Sequence, residues 1–147
     1  MPGQTFTASA STPATVGAVW DRLQVPETWE GINGVDSVFE PRHDESGQLV
    51  AFKFTSTAAG RRYEGTASPG PREHEASLTW DIATSEIKGW VRVDLHPDDA
   101  GTRIQVTMHV EAVSTMASFG FPFIAAAIAK GFQETADHFA QSMESSG

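Results

Sequence analysis

The chain has 147 residues, 39% of them hydrophobic and 20% charged, with no cysteine and a formal net charge of −9. That length suffices to bury a substantial core in one domain, residues 1–147, and the composition is that of a globular rather than a disordered chain. Ten Lys and Arg against nineteen Asp and Glu leave no cationic cluster to neutralise phosphates, which argues against nucleic acid and against an anionic membrane surface as partners.

Lack of cysteine excludes disulfides, thiolate nucleophiles and Cys-ligated metals. The longest apolar run, about eleven residues, is short of a bilayer span. Met1 to Thr5 has neither the positive region nor the apolar stretch of a signal peptide. These observations predict a cytoplasmic protein with no membrane insertion, and they leave the oligomeric state open.

Along the chain, Phe6, Ala8 and Ala10 alternate with Thr7 and Ser9 between Thr5 and Ser11, the period of a half-buried strand. Thr12-Pro13 predicts a helix start, a hydroxyl N-cap followed by proline at the first helical position. Val16, Val19, Trp20 and Leu23 then share one helical face. Pro26 interrupts, Glu27 to Ile32 predicts a second short helix carrying Trp29, and Asn33-Gly34 ends it.

Strands follow with turn punctuation: Val35 to Pro41, Gln48 to Thr57, Arg61 to Ser68, Glu73 to Thr84, Glu86 to His96 and Thr102 to Ala112. Asp44 to Gly47, Ala59-Gly60 and Pro97 to Gly101 are the turns, and Pro69-Gly70-Pro71 is expected to break the third of these strands. Alternation places Phe52, Phe54, Leu78, Trp80, Ile82, Val91, Val93, Leu95, Ile104, Val106, Met108 and Val110 on a dry face. Their neighbours Lys53, Thr55, Thr79, Asp81, Arg92, Asp94, Arg103, Gln105, Thr107, His109 and Glu111 fall on a wet one.

From Phe119 to Met143 the chain predicts one long helix, with an outer range of about 116–144. Its first half, Phe121 to Ala129, is apolar nearly all round, which requires cover on every face. Its second half carries Gln133, Glu134, Asp137, Gln141 and Glu144 on a wet side. Small Ala side chains where helix meets sheet leave space for a ligand.

Strand, two short helices, six-strand meander and long C-terminal helix resemble the START-like (SRPBCC, helix-grip) superfamily, which includes polyketide cyclase/dehydrase-like and birch-pollen-allergen-like proteins. The residues carrying the likeness are Val19-Trp20-Asp21 with Trp29, Gly60-Arg61-Arg62-Tyr63, Leu78-Thr79-Trp80-Asp81 and Gly101-Thr102-Arg103. The resemblance implies an α+β fold, a curved antiparallel sheet of about seven strands gripping the helix around a hydrophobic cavity.

No phosphate-cradling loop and no Gly-x-Ser-x-Gly elbow is present. The five histidines are scattered, with no metal-ligand spacing, and no cofactor is expected. His109 with Glu111, Asp21, Asp98 and Asp99 are expected on the surface, and His138 is expected to pair with Glu134 across a helical turn. The expected function is binding of a small hydrophobic molecule (a lipid, polyketide or aromatic compound) in a cavity walled by Trp29, Phe52, Phe54, Tyr63, Trp80, Phe121, Ile124, Ala125, Ile128 and Thr135. A polyketide cyclase or dehydratase using the same cavity is the alternative, and no acid/base pair in the sequence decides for it. A third possibility is an interaction module similar to chaperone-ATPase activators, marked by an exposed apolar patch at Phe119 to Phe123.

Overall fold

β1 (Gly3–Thr12) opens the chain in a computed structural model that describes residues 3–30, 35–58 and 60–144. The helix end expected at Asn33-Gly34, together with Ile32 and Ala59, lies outside the described residues. Phe6 and Ala8 of β1 are buried and Ala10 half-buried, as the alternation predicts, and Thr12 continues the buried side. Thr12 is not the helix cap. It ends the strand, and the cap is Thr15, whose hydroxyl accepts the backbone N–H of Ala18 and starts α1 (Val16–Leu23). Both threonines satisfy the hydroxyl preference of a helix start, so only the geometry of the strand's exit separates them.

The second short helix is a single 3₁₀ turn, Pro26–Trp29. It is tied to the end of α1 by side chains that satisfy orphan carbonyls. The Thr28 hydroxyl donates to Arg22 O at 2.7 Å, the Trp29 indole to Leu23 O at 3.0 Å and the Gln24 amide to Trp20 O at 3.2 Å. Gln24 Oε1 also accepts the Leu49 N–H at 2.9 Å, which anchors this helical corner to the sheet.

Six further strands follow: β2 (Val35–His43), β3 (Leu49–Ala58), β4 (Arg61–Glu73), β5 (Ser77–Thr84), β6 (Ile87–Asp98) and β7 (Gly101–Ala112). The described residues form one antiparallel sheet of order β1-β7-β6-β5-β4-β3-β2. A meander places β2 to β7 side by side, and β1 closes onto β7. Pro69-Gly70-Pro71 does not break β4, which runs on to Glu73 with a bulge between Pro69 and Arg72. Beyond Ala67 β4 no longer pairs with β3, so prolines there remove no ladder hydrogen bond on that side. In compensation β5 starts at Ser77, four residues later than the alternation suggests, because Glu73 to Ala76 forms the turn, with Glu75 at φ 57°.

The dry face is buried as expected at Phe52, Phe54, Leu78, Trp80, Val93, Leu95, Ile104, Val106, Met108 and Val110. Thr55 and Thr79, assigned to the wet face, are also buried. Thr55 Oγ1 shares a 2.7 Å hydrogen bond with Ser37 Oγ, and Thr79 lies under Gly70 at the bulge. Across the dry face runs α2 (Thr115–Glu144), whose first turn is capped by Ser114 Oγ accepting the Ala117 N–H at 3.0 Å.

One buried ridge of α2, with Phe121, Ile124, Ile128, Phe132, Ala136, Phe139 and Met143, faces the sheet. The expectation that the first half is covered on every face is overturned. Met116, Phe119 and Phe123 are 81%, 75% and 68% exposed, and Ala126 and Ala127 are exposed beside them. A helix laid on one sheet is covered on one side, and among the described residues no second layer packs on its back. By length and composition α2 could cross a membrane: an 18-residue window within Thr115–Met143 has mean hydropathy 1.3, and 33% of that window is buried. Here it is the helix of the sheet's core.

Candidate functional site

Between the first half of α2 and the sheet lies a mainly apolar cavity of about 90 Å³. Its aromatic wall is built from two strands, β3 and β5, and the 3₁₀ turn. Phe52 and Trp80 meet edge to face at 5.0 Å between ring centroids, and Trp29 stands perpendicular to Trp80 at 5.9 Å. Phe54 extends the wall from Phe52 at 6.4 Å. The hydrogen bond from the Trp29 indole to Leu23 O fixes that ring's direction, so the α1 corner sets one cavity wall. Ile124 and Ile128 close the cavity from the helix.

Polar groups gather at one end. Ser56, Tyr63, Thr84 and Glu86 line the cavity there together with Val35 and exposed Ala83, so the cavity reaches the surface at that end. The Arg61 guanidinium lies 5.5 Å from the centroid of the Tyr63 ring and 3.8 Å from the Glu86 carboxylate, which places a cation–π contact and an ion pair at the rim. At the aromatic wall, Trp80 Nε1 is buried with no hydrogen-bond partner. Such a donor costs about 1–3 kcal/mol when left unpaired. Arg72 sits over the Trp80 ring at 5.3 Å, and burial pushes its guanidinium below its ordinary value against the opposing pull of Asp44.

Of the ten residues expected at the site, the cavity brings together Trp29, Phe52, Phe54, Tyr63, Trp80, Ile124 and Ile128. Phe121 and Ala125 are not among its lining. They lie on the flank of α2 toward β1, beside a shallow depression shared with Gln4, Pro122 and Ala129. Thr135 lines a separate small void with Phe132, Phe139 and Val106. At 100° per residue Ala125 sits a step round the helix from Ile124 and Ile128, whereas Phe121 shares their ridge but lies about one turn nearer the start of α2.

The alanines also do less than expected. Ala126 and Ala127 face outward, so they surrender no interior volume. Gly65 leaves no room beside Tyr63, because the Phe54 ring lies over that glycine and a Cβ there would come within 2.5 Å of it. Sequence reasoning missed Val35, Ser56, Thr84, Glu86 and Ile87 as lining residues. They stand at strand ends, where alternation alone does not say which side chains curl over a cavity mouth. Val91 and Met108, also lining, were legible as dry-face residues.

Among the other candidates, His138 and Asp21 are exposed. His109 is on the outer face, its Nδ1 2.8 Å from Thr5 Oγ1 and its ring stacked on Trp90 at 5.9 Å. Asp98 closes the β6–β7 turn by accepting the Ala100 N–H at 2.9 Å.

The family model described as polyketide cyclase / dehydrase and lipid transport matches residues 3–144. No curated protein matches the chain significantly. Among solved structures, the chain is similar to the Zhui aromatase/cyclase from Streptomyces sp. R1128, with TM-score 0.68 and 10% identity over 97% of this chain and 94% of that one. It is also similar to a START superfamily protein from Mycobacterium smegmatis, with TM-score 0.64 and 10% identity over 86% and 94%. For Ara h 8.0201 the TM-score is 0.56, with 14% identity over 96% and 99%. At these identities the likeness is one of fold, the START-like helix grip.

Proposed function

Because the chain belongs to the polyketide cyclase / dehydrase and lipid transport family, we propose that it binds a small hydrophobic molecule between sheet and α2. The observation that carries this reading is the division of the cavity: an aromatic wall of Trp29, Phe52, Phe54 and Trp80 at one side, polar Ser56, Tyr63, Thr84 and Glu86 at the surface end. That arrangement suits a ligand with an apolar ring and one polar end, held by a few placed hydrogen bonds. The cavity as it stands is small. An apolar void of roughly 150 Å³ is known to take one benzene, so a ligand of one ring or more enters with outward movement of the Ile124–Ile128 segment.

Cyclisation of a polyketide is the second reading, favoured by one observation: Tyr63 and Glu86, two groups capable of moving a proton, line the same cavity end. Glu86 stands at the rim, 3.8 Å from the Arg61 guanidinium, rather than deep inside.

Titration with an apolar ring compound, followed by tryptophan fluorescence, tests the proposal. Trp29 and Trp80 are in the wall, so a saturable change is expected, and Ile124→Trp should fill the void and abolish saturation while the fold survives. Probe binding indifferent to that substitution would remove the proposal's support. Turnover of a polyketide substrate, lost in Tyr63→Phe or Glu86→Gln, would decide for the enzyme.

A further inference from the structure

The exposed back of α2 begins where the cavity opens. Val113, 38% exposed, donates its backbone N–H to Glu86 O at 3.1 Å, and Glu86 lines the cavity mouth. Ser114 then caps the helix, and Met116, Phe119 and Phe123 project from its first three turns. Phe123 directly precedes Ile124, a lining residue. Mouth and apolar patch therefore share one end of the molecule.

We propose that this end docks on the surface of a neutral lipid bilayer, with Phe119, Phe123 and Met116 entering the headgroup–acyl boundary. Two observations choose that occupant. The first is charge. In a chain of net charge −9, the stretch from Thr115 to Gln133 contains no carboxylate and a single cation, Lys130. At the rim Glu86 is matched by Arg61. Repulsion from the rest of the molecule is screened beyond about 8 Å at physiological salt, so the patch is met on its own terms.

The second is area. The three projecting side chains offer roughly 400–500 Å², and two such faces together fall short of the ~1,200–2,000 Å² that a stable protein–protein interface buries. A bilayer needs no matching surface. It takes isolated aromatic side chains on one helix face, with cations at the margin. The whole-chain charge, which argues against an anionic membrane, does not oppose a zwitterionic one. Docking itself does not require that the cavity be filled. Only its purpose, passing an apolar ligand between bilayer and cavity without crossing water, rests on the ligand-binding reading.

The test is co-sedimentation of the full chain with phosphatidylcholine vesicles at physiological salt, with light scattering to record the oligomeric state. The wild type should sediment with the vesicles. Phe119→Ser with Phe123→Ser should weaken vesicle affinity at least about tenfold and leave the melting temperature unchanged, because both rings are exposed. Should that double variant melt early, Phe119→Trp with Phe123→Trp supplies the readout, and it should bind more tightly than the wild type. A wild type that stays in solution, or a serine variant that binds equally, overturns the inference. So does a wild-type dimer that the serine variant dissolves, since the face would then belong to a second copy. Probe fluorescence measured without vesicles reports on the cavity separately.

Discussion

Asp44 shows how much a single exposed residue can organise. Its Oδ1 accepts the Ser46 hydroxyl at 2.7 Å, the Ser46 N–H at 2.9 Å and the Gln48 N–H at 3.0 Å, closing the β2–β3 turn around Gly47 at φ 88°. The Ser46 hydroxyl bond is the largest cause holding the Asp44 carboxyl below its ordinary value of 3.8, with the Gln48 N–H next. A carboxylate whose folded value is lowered contributes stability that is fully present above its unfolded value and is lost as pH falls through the folded one. Asp44→Asn should therefore destabilise the protein at neutral pH, and the gap to the wild type should close as pH drops below about 4. Denaturant melts at neutral and acid pH check this; a gap that stays constant would mean that turn geometry, not charge, is what the residue supplies.

At the scale of elements, helix and sheet are held together by a ridge meeting a flat face. Phe132, 5% exposed, lies 5.7 Å from Phe6 of β1 and closes the small void above Val106. Truncating it to alanine should cost about 3–5 kcal/mol, read as a shift in the urea midpoint with an unchanged slope. A loss below about 1 kcal/mol would contradict the assigned face. This packing was legible in the sequence, because period-2 alternation along β7 and the spacing of Ile128, Phe132 and Phe139 on α2 each name one dry side. Element ends were less legible. Thr12 and Thr15 have the same capping chemistry, and Pro69-Gly70-Pro71 reads as a break unless one knows that β3 has already left β4's side. The cavity wall could be read from aromatics on the dry face, whereas its polar mouth could not, since Ser56, Thr84 and Glu86 acquire their position from how strand ends curl. The segment Phe119 to Phe123 was legible as a candidate apolar patch, but not that Phe119 and Phe123 face outward while Phe121 is buried, because an apolar stretch does not state which of its faces is covered.

For the whole molecule, the sheet, the α1 corner and the second half of α2 form a packed frame, and the cavity sits under the part of α2 whose other side is bare. Filling it should couple to global stability, because a ligand that binds only the folded state adds RT ln(1 + [L]/Kd). An apolar ring compound at a hundred times its Kd adds about 2.7 kcal/mol, which for a chain of this size raises Tm by roughly 5–10 °C. Ile124→Trp should remove that increment, since the indole takes the ligand's place between Phe52, Trp80 and the helix. Ala127→Trp should keep it, since Ala127 faces solvent. The pair discriminates a filled cavity from a general effect of bulk on α2. Scanning calorimetry with and without ligand measures both. Equal shifts in the two variants, or none in the wild type across a series of ring compounds of rising size, would show that the Ile124–Ile128 segment does not yield and that the cavity stays as small as it is without ligand.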